Sequence, residues 1–297
     1  MRNEKLGTRD QVLGTRDQGL GTRESSLPGT ERCKNAQLAN NDPSPQSPVP
    51  SPQTQSPFLI PHSSFLIIKD LSCAYTSRSW GLFGKKEIKP VLENVNLEIG
   101  KGEIFGLVGE SGCGKSTLAK CVLGLLDYKG EITINGRVRD KKPSFRERRE
   151  RALEVQAVFQ DPGSSLNPVK TAGWILEEPL KVHGFGTAGE RQKRVDEILD
   201  LVGLDSSYKK RKPRELSAGQ KQRVSIGAAL MLNPGLIVAD EPVSALDVSV
   251  AAQILNLLKG LNRRLGLSLL FISHNLELVH YLCDRVAVMR NGRVEEI

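Results

Sequence analysis

Nine residues, Gly109 to Thr117, constrain this chain more than any other segment. They read GESGCGKST and follow a short apolar run, Ile104 to Val108. This order predicts a strand that enters a glycine-rich loop, and a helix that begins near Lys115. The spacing G-x-x-x-x-G-K-S is that of a phosphate-binding P-loop. An ordinary glycine-rich turn is the alternative, and the sequence of strand, loop and helix argues against it.

The residue types of this loop explain its chemistry. Its glycines allow backbone conformations closed to residues with a Cβ, so that successive N–H groups can turn toward a polyphosphate. Lys115 adds a positive charge for the β- and γ-phosphates, and the hydroxyl of Ser116 is placed to bind Mg²⁺. The positive end of the following helix faces the same anion. We expect nucleotide contacts from the whole loop: Gly109, Glu110, Ser111, Gly112, Cys113, Gly114, Lys115, Ser116 and Thr117.

Composition limits the kind of protein this can be. The 297 residues carry a net charge of +8, and the basic stretches Lys141–Arg151 and Lys209–Arg214 are expected to be solvated faces, not a nucleic-acid surface. The five cysteines have no C-x-x-C spacing, which favours reduced thiols over a disulfide framework or zinc site. No apolar run reaches the ~18–20 residues of a membrane span, and there is no signal-peptide core. Membrane association is therefore expected to come through a partner.

The N-terminal segment differs from the rest. Residues 6–26 repeat LGTRDQV, LGTRDQG and LGTRESS, and residues 40–61 are dense in Pro, Ser and Gln. The repeat lacks the second apolar position of a coiled-coil heptad and the side chains that stack in a solenoid. We expect residues 1–62 to be a disordered extension with a Pro/Ser-rich tether that the chemistry does not require. Residues 63–297 are expected to form the folded domain.

Two strands are expected before the P-loop strand, at Phe65–Ile68 and Val91–Ile99. Alternating apolar positions mark the second of these strands: Val91, Val95, Leu97 and Ile99. Tyr75 lies between the two strands and could stack on an adenine ring or pack in the core.

Two segments in the middle of the chain offer further polar groups. Val155–Phe159 predicts a short apolar strand that ends at Gln160, whose amide could reach a metal or an attacking water. The segment LSAGQ (216–220) begins a helix, so Ser217 and the backbone of Gly219 lie at a second anion-binding helix end. Taken alone, the glutamine could equally be a surface amide, and LSAGQ could be an ordinary helix cap.

Two buried strands lead to carboxylates and a histidine. Leu236–Ala239 is followed by Asp240, which suits Mg²⁺, and by Glu241, which suits polarising a water molecule. Leu267–Ile272 leads to His274. Ligands of open α/β sheets bind at the carboxyl ends of the strands, so we expect these side chains to meet the P-loop at one edge.

Apolar periodicity predicts two helices. One follows the segment SALD (244–247) and the other surrounds Glu190–Val202. The apolar positions of the first are Val250, Ile254, Leu257, Leu258, Leu261 and Leu265, and those of the second are Val195, Ile198, Leu199 and Val202.

In this order the motifs resemble those of the nucleotide-binding subunit of ABC transporters, over residues 65–297. GESGCGKST resembles the Walker A motif, LIVADE (236–241) the Walker B motif and LSAGQ the signature. The remaining motifs match at single positions: Tyr75 the aromatic A-loop, Gln160 the Q-loop, Asp247 of SALD the D-loop and His274 the switch histidine.

The chain is similar, more narrowly, to the ATPases of oligopeptide, dipeptide and nickel importers. Five segments carry this narrower resemblance: GLFGKKEIKPVL (81–92), VFQDPGSSLNP (158–168), EEPLKVHG (177–184), DEPVSALDVSVAAQILNLL (240–258) and LFISHNLELV (270–279). Ala218 replaces the first glycine of the usual LSGGQ, a change that matters only if the position needs positive φ. Asn275 stands where that group has Asp, and the sequence ends at Ile297, before a further segment found in importer ATPases.

The resemblance implies an α/β P-loop NTPase fold, with a mostly parallel core sheet, an antiparallel β subdomain and a helical subdomain at about 161–232. It also implies a head-to-tail dimer with a second ATPase subunit, of the same or a different kind, and ATP and Mg²⁺ as cofactors. The implied catalytic residues are Glu241, His274, Gln160 and Lys115, and the implied metal ligands are Ser116, Gln160 and Asp240. The nucleotide would also contact Tyr75, and the signature and D-loop would contribute Ser217, Gly219, Gln220 and Asp247.

The implied function is to energise import of peptides, or of a related small solute such as nickel. Integral membrane permease subunits and a solute-binding protein are the implied partners, without nucleic acid, at the cytoplasmic face of the membrane. A soluble ABC-type ATPase of translation or DNA repair is one alternative, but such proteins carry two cassettes or a long coiled insertion. A non-hydrolysing regulatory subunit is the other, but it would be expected to have lost Glu241 or His274.

Overall fold

The computed structural model describes residues 64–78 and 86–297. The expectations for the heptapeptide repeat and the tether, residues 1–62, lie outside the described residues. Two sheets form, and their strands are β1 Ser64–Arg78, β2 Lys86–Gly100, β3 Ile104–Gly109, β4 Lys129–Ile134, β5 Arg137–Val138, β6 Val155–Val158, β7 Leu236–Asp240, β8 Ser268–Ser273, β9 Arg285–Arg290 and β10 Arg293–Glu296.

Helices cover or connect these sheets. They are α1 Lys115–Val122, α2 Phe145–Glu154, α3 Pro162–Ser165, α4 Ala172–His183, α5 Ala188–Leu201, α6 Ala218–Leu230, α7 Val248–Leu265 and α8 Leu276–Leu282, with 3₁₀ turns at Ser206–Lys210 and Pro213–Glu215. Within the described ranges, we find no helix with the length and apolar character needed to cross a membrane.

The six-stranded core sheet has the order β10-β9-β3-β8-β7-β6. β9, β3, β8, β7 and β6 are parallel, and β10 pairs antiparallel at one edge. Every residue of β8 is buried, as in strands that are covered on both faces. The mostly parallel sheet predicted from the sequence is confirmed, and the carboxyl ends of β3, β7 and β8 lie side by side.

The second sheet is antiparallel, in the order β2-β1-β4-β5. β1 extends well past the predicted end at Ile68, so Tyr75 lies within this strand and not between two strands. The predicted alternation in β2 is wrong at Val91, which is half-buried, because Leu92 takes the buried position instead. Asn94 has a φ of 49°, and the pairing with β1 shifts register there, which moves the preceding residues out of phase.

A group of helices lies between β6 and β7 in the chain. α5 begins with a capping box in which Thr187 and Glu190 satisfy each other's backbone N–H groups. Its predicted apolar face is confirmed, and α4, α5 and α6 pack against one another. The buried positions of that face are Val195, Ile198, Leu199 and Val202.

The amphipathic helix predicted after residue 247 is α7, and its predicted apolar face is buried only in part, since Val250 and Leu257 are half-buried. Ile254, Leu258 and Leu261 are buried as expected, and so is Leu255. Leu265 was predicted on the same apolar face, but this residue is 51% exposed. It is the last residue of the helix, which ends at Gly266 with left-handed backbone, so no further turn covers it.

The basic stretch Lys141–Arg151 runs into α2 and is not solvated throughout, contrary to expectation. Arg151 is only 2% exposed and donates from Nη2 to the backbone oxygen of Asp140 at 3.1 Å. Its guanidinium packs against Gly124, just past the C-terminal end of α1. A cation at a helix C-terminus is favoured by the helix dipole, so this arginine contributes to the support of the P-loop helix.

Candidate active site

The P-loop connects β3 to α1 as the sequence predicts, and glycine is required at two of its positions. Gly109 pairs with Met289 of β9, and a Cβ there would collide with the backbone oxygen of that methionine. Gly114 is the N-cap of α1 with a φ of 115°, and a Cβ would lie 2.7 Å from Cδ2 of Leu92. Because Gly114 has no side chain to cap the helix, the first N–H groups of α1 stay available to an anion.

Lys115 is a buried cation inside this loop. The side chain is 6% exposed, and Nζ donates to the backbone oxygens of Gly109 at 2.7 Å and Glu110 at 2.9 Å. No ion pair within the described ranges involves this lysine. Burial of a charge without an opposite partner is unfavourable, so the loop is suited to a bound anion.

A cavity of about 250 Å³ opens beside the loop. The residues that line it are Val91, Ser111, Gly112, Gly114, Lys115, Ser116, Thr117 and Glu241. Val91 was predicted only as one of the alternating apolar positions of its strand, and the register shift in β2 turns it toward this cavity. The sequence carried no signal for this role, because the shift arises from pairing with β1.

Tyr75 lies at the side of the P-loop helix. The residue is 41% exposed, which argues against the core position left open by the sequence. The phenol oxygen is 3.4 Å from Oγ1 of Thr117 in α1. The exposed ring is therefore available to stack on a planar group bound next to the loop.

The side chain of Ser116 lies next to Asp240, where α1 packs against the carboxyl end of β7. Burial raises the pKa of Asp240 and the charge of Glu241 acts in the same direction, whereas the Ser116 hydroxyl and the charge of Lys115 lower it. A hydroxyl and a carboxylate are the oxygen ligands that Mg²⁺ uses beside substrate phosphates. The residues present therefore fit a magnesium ion, whose charge would favour the ionised carboxylate.

Glu241 and His274 form the contact that joins β7 to β8 at this edge. Oε1 of Glu241 lies 3.0 Å from Nδ1 of His274. The glutamate has a φ of 49°, in the left-handed region, and its N–H donates to the backbone oxygen of Ile272 at 2.9 Å. Backbone of this kind costs a non-glycine residue about 1–3 kcal/mol and is concentrated at functional sites. Nothing in the local sequence indicated this conformation.

Gln160 is positioned by sheet register alone. β6 pairs with β7 so that Val158 is opposite Ala239, which puts the glutamine, two residues further on, beside Glu241 at the next strand end. Its side chain is exposed and makes no hydrogen bond within the described part of the chain. The structure therefore brings Gln160 to the correct edge but does not bring its amide to Ser116 or Asp240.

Ser217 caps α6, as predicted. Its Oγ accepts from the N–H of Gln220 at 3.3 Å, and Oε1 of Gln220 accepts from the N–H of Ser217 at 3.0 Å. Nε2 of the same glutamine donates to the hydroxyl of Tyr208. Since the serine oxygen is only an acceptor in this cap, its hydroxyl hydrogen remains free for an anion.

The alanine of LSAGQ causes no strain. Ala218 is the first residue of α6 with ordinary helical backbone, and its side chain is exposed, so the methyl is tolerated. The space around Gly219 is too small for a side chain, because a Cβ there would lie 2.6 Å from Cγ1 of Val250. Within the described ranges, the residues that line the P-loop cavity include neither Ser217 nor Gly219. Asp247, the N-cap of α7, is exposed and also does not line it.

Asn275 replaces the expected aspartate without loss of local hydrogen bonds. Its Oδ1 accepts from the N–H groups of Glu277 at 2.9 Å and Leu278 at 3.3 Å, and so caps α8. Its own N–H donates to Oγ of Ser273 at 3.0 Å. An amide oxygen serves as an N-cap as well as a carboxylate does.

A comparison with protein families decides the class of this site. The family described as ABC transporter matches residues 92–244, just over half of the chain. The chain belongs to the ABC transporter family. It is thus an ATP-binding cassette that hydrolyses ATP, and the resemblance inferred from the motifs is confirmed.

The names of proteins similar to this ABC ATPase agree with one another: they are ATP-binding proteins of peptide import or transport. A Brucella ovis protein named provisionally for peptide import is 46% identical over 233 residues, covering 78% of this chain and 71% of its own length. The oligopeptide transport ATP-binding protein AppF of Bacillus subtilis is 44% identical over 239 residues, which cover 79% of this chain and 71% of AppF. A solved dimeric cassette in a post-hydrolysis state, bound to ADP and Pi, is 32% identical with a TM-score of 0.67, covering 78% of this chain and 97% of that one.

Proposed function

We propose that this chain is the ATP-hydrolysing subunit of an ABC importer for peptides or a related small solute such as nickel. The single observation that carries the hydrolytic part is the contact between Glu241 and His274 beside the P-loop cavity. The cargo class follows from the names of the relatives at 42–46% identity. Permease subunits, a second ATPase subunit and a solute-binding protein are the proposed partners, and the proposed location is the cytoplasmic face of the membrane.

The nucleotide would lie along the P-loop. Lys115 and the N–H groups at the start of α1 would hold the phosphates, and Tyr75 would stack on the base. Ser116 and Asp240 would hold Mg²⁺, with Gln160 moving in as a third ligand. When bound, this ion supplies positive charge to the phosphate oxygens.

Hydrolysis would start from a water molecule at the edge formed by β7 and β8. Glu241 would accept its proton or orient it for in-line attack, and His274 would hold the carboxylate in position. The charge that develops on the phosphate oxygens would be stabilised by Lys115. These roles assign a separate task to each group at this edge.

A second subunit would complete the site. A nucleotide held by one P-loop would leave part of its γ-phosphate uncovered, and the hydroxyl of Ser217 at the start of α6 still has its hydrogen free to donate. We propose a head-to-tail dimer in which Ser217 of the partner subunit, with Gly219 and Gln220 of the partner subunit, contacts the γ-phosphate. Asp247 of the partner subunit would approach the same interface. Residues 160–214 would contact the permease.

Two alternatives, a non-hydrolysing regulatory subunit and a soluble ATPase of translation or repair, can each be distinguished from the proposed importer subunit. A regulatory subunit would not need the glutamate–histidine contact, which is intact in this chain. A soluble ATPase of translation or repair would not co-purify with an integral membrane protein. Expression with the neighbouring reading frames, detergent extraction and purification through this chain tests the proposal. We expect a permease in the complex and ATP hydrolysis by it; a purified ATPase without a membrane partner would contradict the transport role.

The domain boundary is also a proposal. We place the chemistry in residues 63–297, with a helical subdomain at about 161–232. A chain without residues 1–62 is expected to keep its ATPase activity, and a large loss would assign the extension a role in catalysis.

A further inference from the structure

Two cysteines with no part in the proposed chemistry lie together beneath the nucleotide site. Cys73 is in β1 and Cys121 is in α1, and both are free thiols. They are 6% and 0% exposed, belong to the same buried apolar cluster, and lie close enough for each side chain to influence the pKa of the other. Sγ of Cys73 also donates to the backbone oxygen of Asp127 at 3.4 Å.

A second contact shows that this proximity follows from the packing of β1 along α1. Tyr75 and Cys73 are two residues apart on a strand and point to the same face. Thr117 and Cys121 are four residues apart on a helix and also share a face. The Tyr75–Thr117 contact of 3.4 Å and the Cys73–Cys121 contact are therefore neighbouring links between the same two elements.

One of the two thiols faces a surface cavity. This cavity, of about 360 Å³, lies between β1, β2 and the segment Asp127–Lys129, and Cys73 is one of its wall residues. Cys121 is enclosed behind it. A small reagent would therefore meet Cys73 first and Cys121 second, the arrangement of an attacked thiol and a resolving thiol.

We propose that Cys73 and Cys121 are an oxidisable dithiol that joins β1 covalently to the P-loop helix. The oxidant is a hydroperoxide. The sulfur of Cys73 attacks the peroxide O–O bond, which breaks to give a sulfenic acid and an alcohol, or water from hydrogen peroxide. The sulfur of Cys121 then displaces hydroxide from the sulfenic sulfur, which leaves as water with the thiol proton. The two thiols lose two electrons and two protons in total, and the peroxide is reduced.

The bond would act on the site through Tyr75. A disulfide holds its sulfur atoms about 2 Å apart, closer than two thiols in van der Waals contact, so β1 must move toward α1. That movement pushes the phenol against Thr117 and narrows the space beside the P-loop. We expect weaker nucleotide binding in the oxidised chain; this consequence rests on the proposed role of Tyr75 in stacking on the base.

Burial sets the rate of the reaction. It raises the pKa of both thiols, so the reactive thiolate is scarce near neutral pH. The pair is therefore expected to react more slowly than an exposed cysteine and to stay reduced except under sustained oxidation.

The test uses the reduced full-length chain, treated with hydrogen peroxide, then alkylated and digested for mass spectrometry. We expect a linked Cys73–Cys121 peptide that dithiothreitol releases. In the Cys121→Ala variant we expect no link, and dimedone should trap Cys73 as a sulfenic acid. The matched control, Cys283→Ala, should still form the link. Free thiols at both positions, after Cys113 or Cys283 has been oxidised, would overturn the proposal.

A nucleotide titration separates this inference from the proposed function. We expect a fluorescent ATP analogue to bind the oxidised wild type on the order of tenfold more weakly, with recovery on reduction. Peroxide-treated Cys121→Ala, which retains Cys113, is expected to bind as before treatment. A disulfide with unchanged affinity would refute the coupling to the site. Reduced wild type that binds no nucleotide would instead count against the proposed function.

Discussion

Oε1 of Glu241 and Nδ1 of His274 are 3.0 Å apart, at the adjacent ends of β7 and β8. Asp240 is opposite Ile272 in the register of these strands, and Glu241 comes one residue after the first and His274 two residues after the second. The contact is thus set by the core of the sheet, and not by a mobile loop. It gives the glutamate a fixed direction beside the P-loop cavity.

The first prediction concerns Glu241→Gln. The amide keeps the size of the side chain but cannot accept a proton, so we expect ATP hydrolysis to fall by about 10²- to 10⁴-fold. ATP binding should remain, and the variant should accumulate as an ATP-bound dimer. Phosphate release and light scattering with ATP measure both effects. Hydrolysis at the wild-type rate would remove Glu241 from its role.

His274→Ala tests the partner of this glutamate. Without the histidine the carboxylate loses its orientation, and we expect turnover to fall by about 10²-fold while nucleotide affinity changes little. Because the two side chains act as a unit, the double variant with Glu241→Gln should be scarcely slower than Glu241→Gln alone. Additive losses in that double-mutant cycle would show that the two residues act independently.

Lys115→Ala tests the phosphate assignment. Loss of charge-assisted hydrogen bonds to phosphate is expected to cost about 3 kcal/mol, on the order of 10²-fold in Kd. Lys120→Ala is the matched control, because this exposed lysine lies in the last turn of the same helix. Titration with a fluorescent nucleotide compares the two. Equal affinities for both variants would contradict the role of Lys115.

The backbone of Glu241 gives a prediction about stability. A residue with a Cβ in the left-handed region costs about 1–2 kcal/mol, a cost that glycine avoids. Glu241→Gly and Glu241→Ala both lack the carboxylate, and both should be inactive. We expect the free energy of unfolding, measured in urea, to be about 1 kcal/mol higher for Glu241→Gly than for Glu241→Ala. Within regular secondary structure the usual order is the reverse. The usual order would show that the backbone is relaxed at this position.

Much of this site could be predicted because its signals are local. The P-loop, the strand before Asp240 and the cap at Ser217 each depend on a few consecutive residues whose conformation follows from their types. The edge of the sheet at which they meet follows from a general property of parallel strands. The fold class was predictable for the same reason.

The features that were missed depend on contacts between distant segments. Val91 lines the cavity because β2 shifts register against β1 near Asn94, which a sequence pattern of period two does not show. Arg151 is buried because α2 packs at the end of α1. The left-handed backbone of Glu241 depends on a hydrogen bond to the neighbouring strand. Each outcome is decided by tertiary structure.

The most direct measurement is a structure of Glu241→Gln with ATP and Mg²⁺. We expect a dimer in which the γ-phosphate held at Lys115 lies within about 3 Å of Ser217 of the partner subunit. An ATP-bound assembly in which every Ser217 faces away from every P-loop would contradict it.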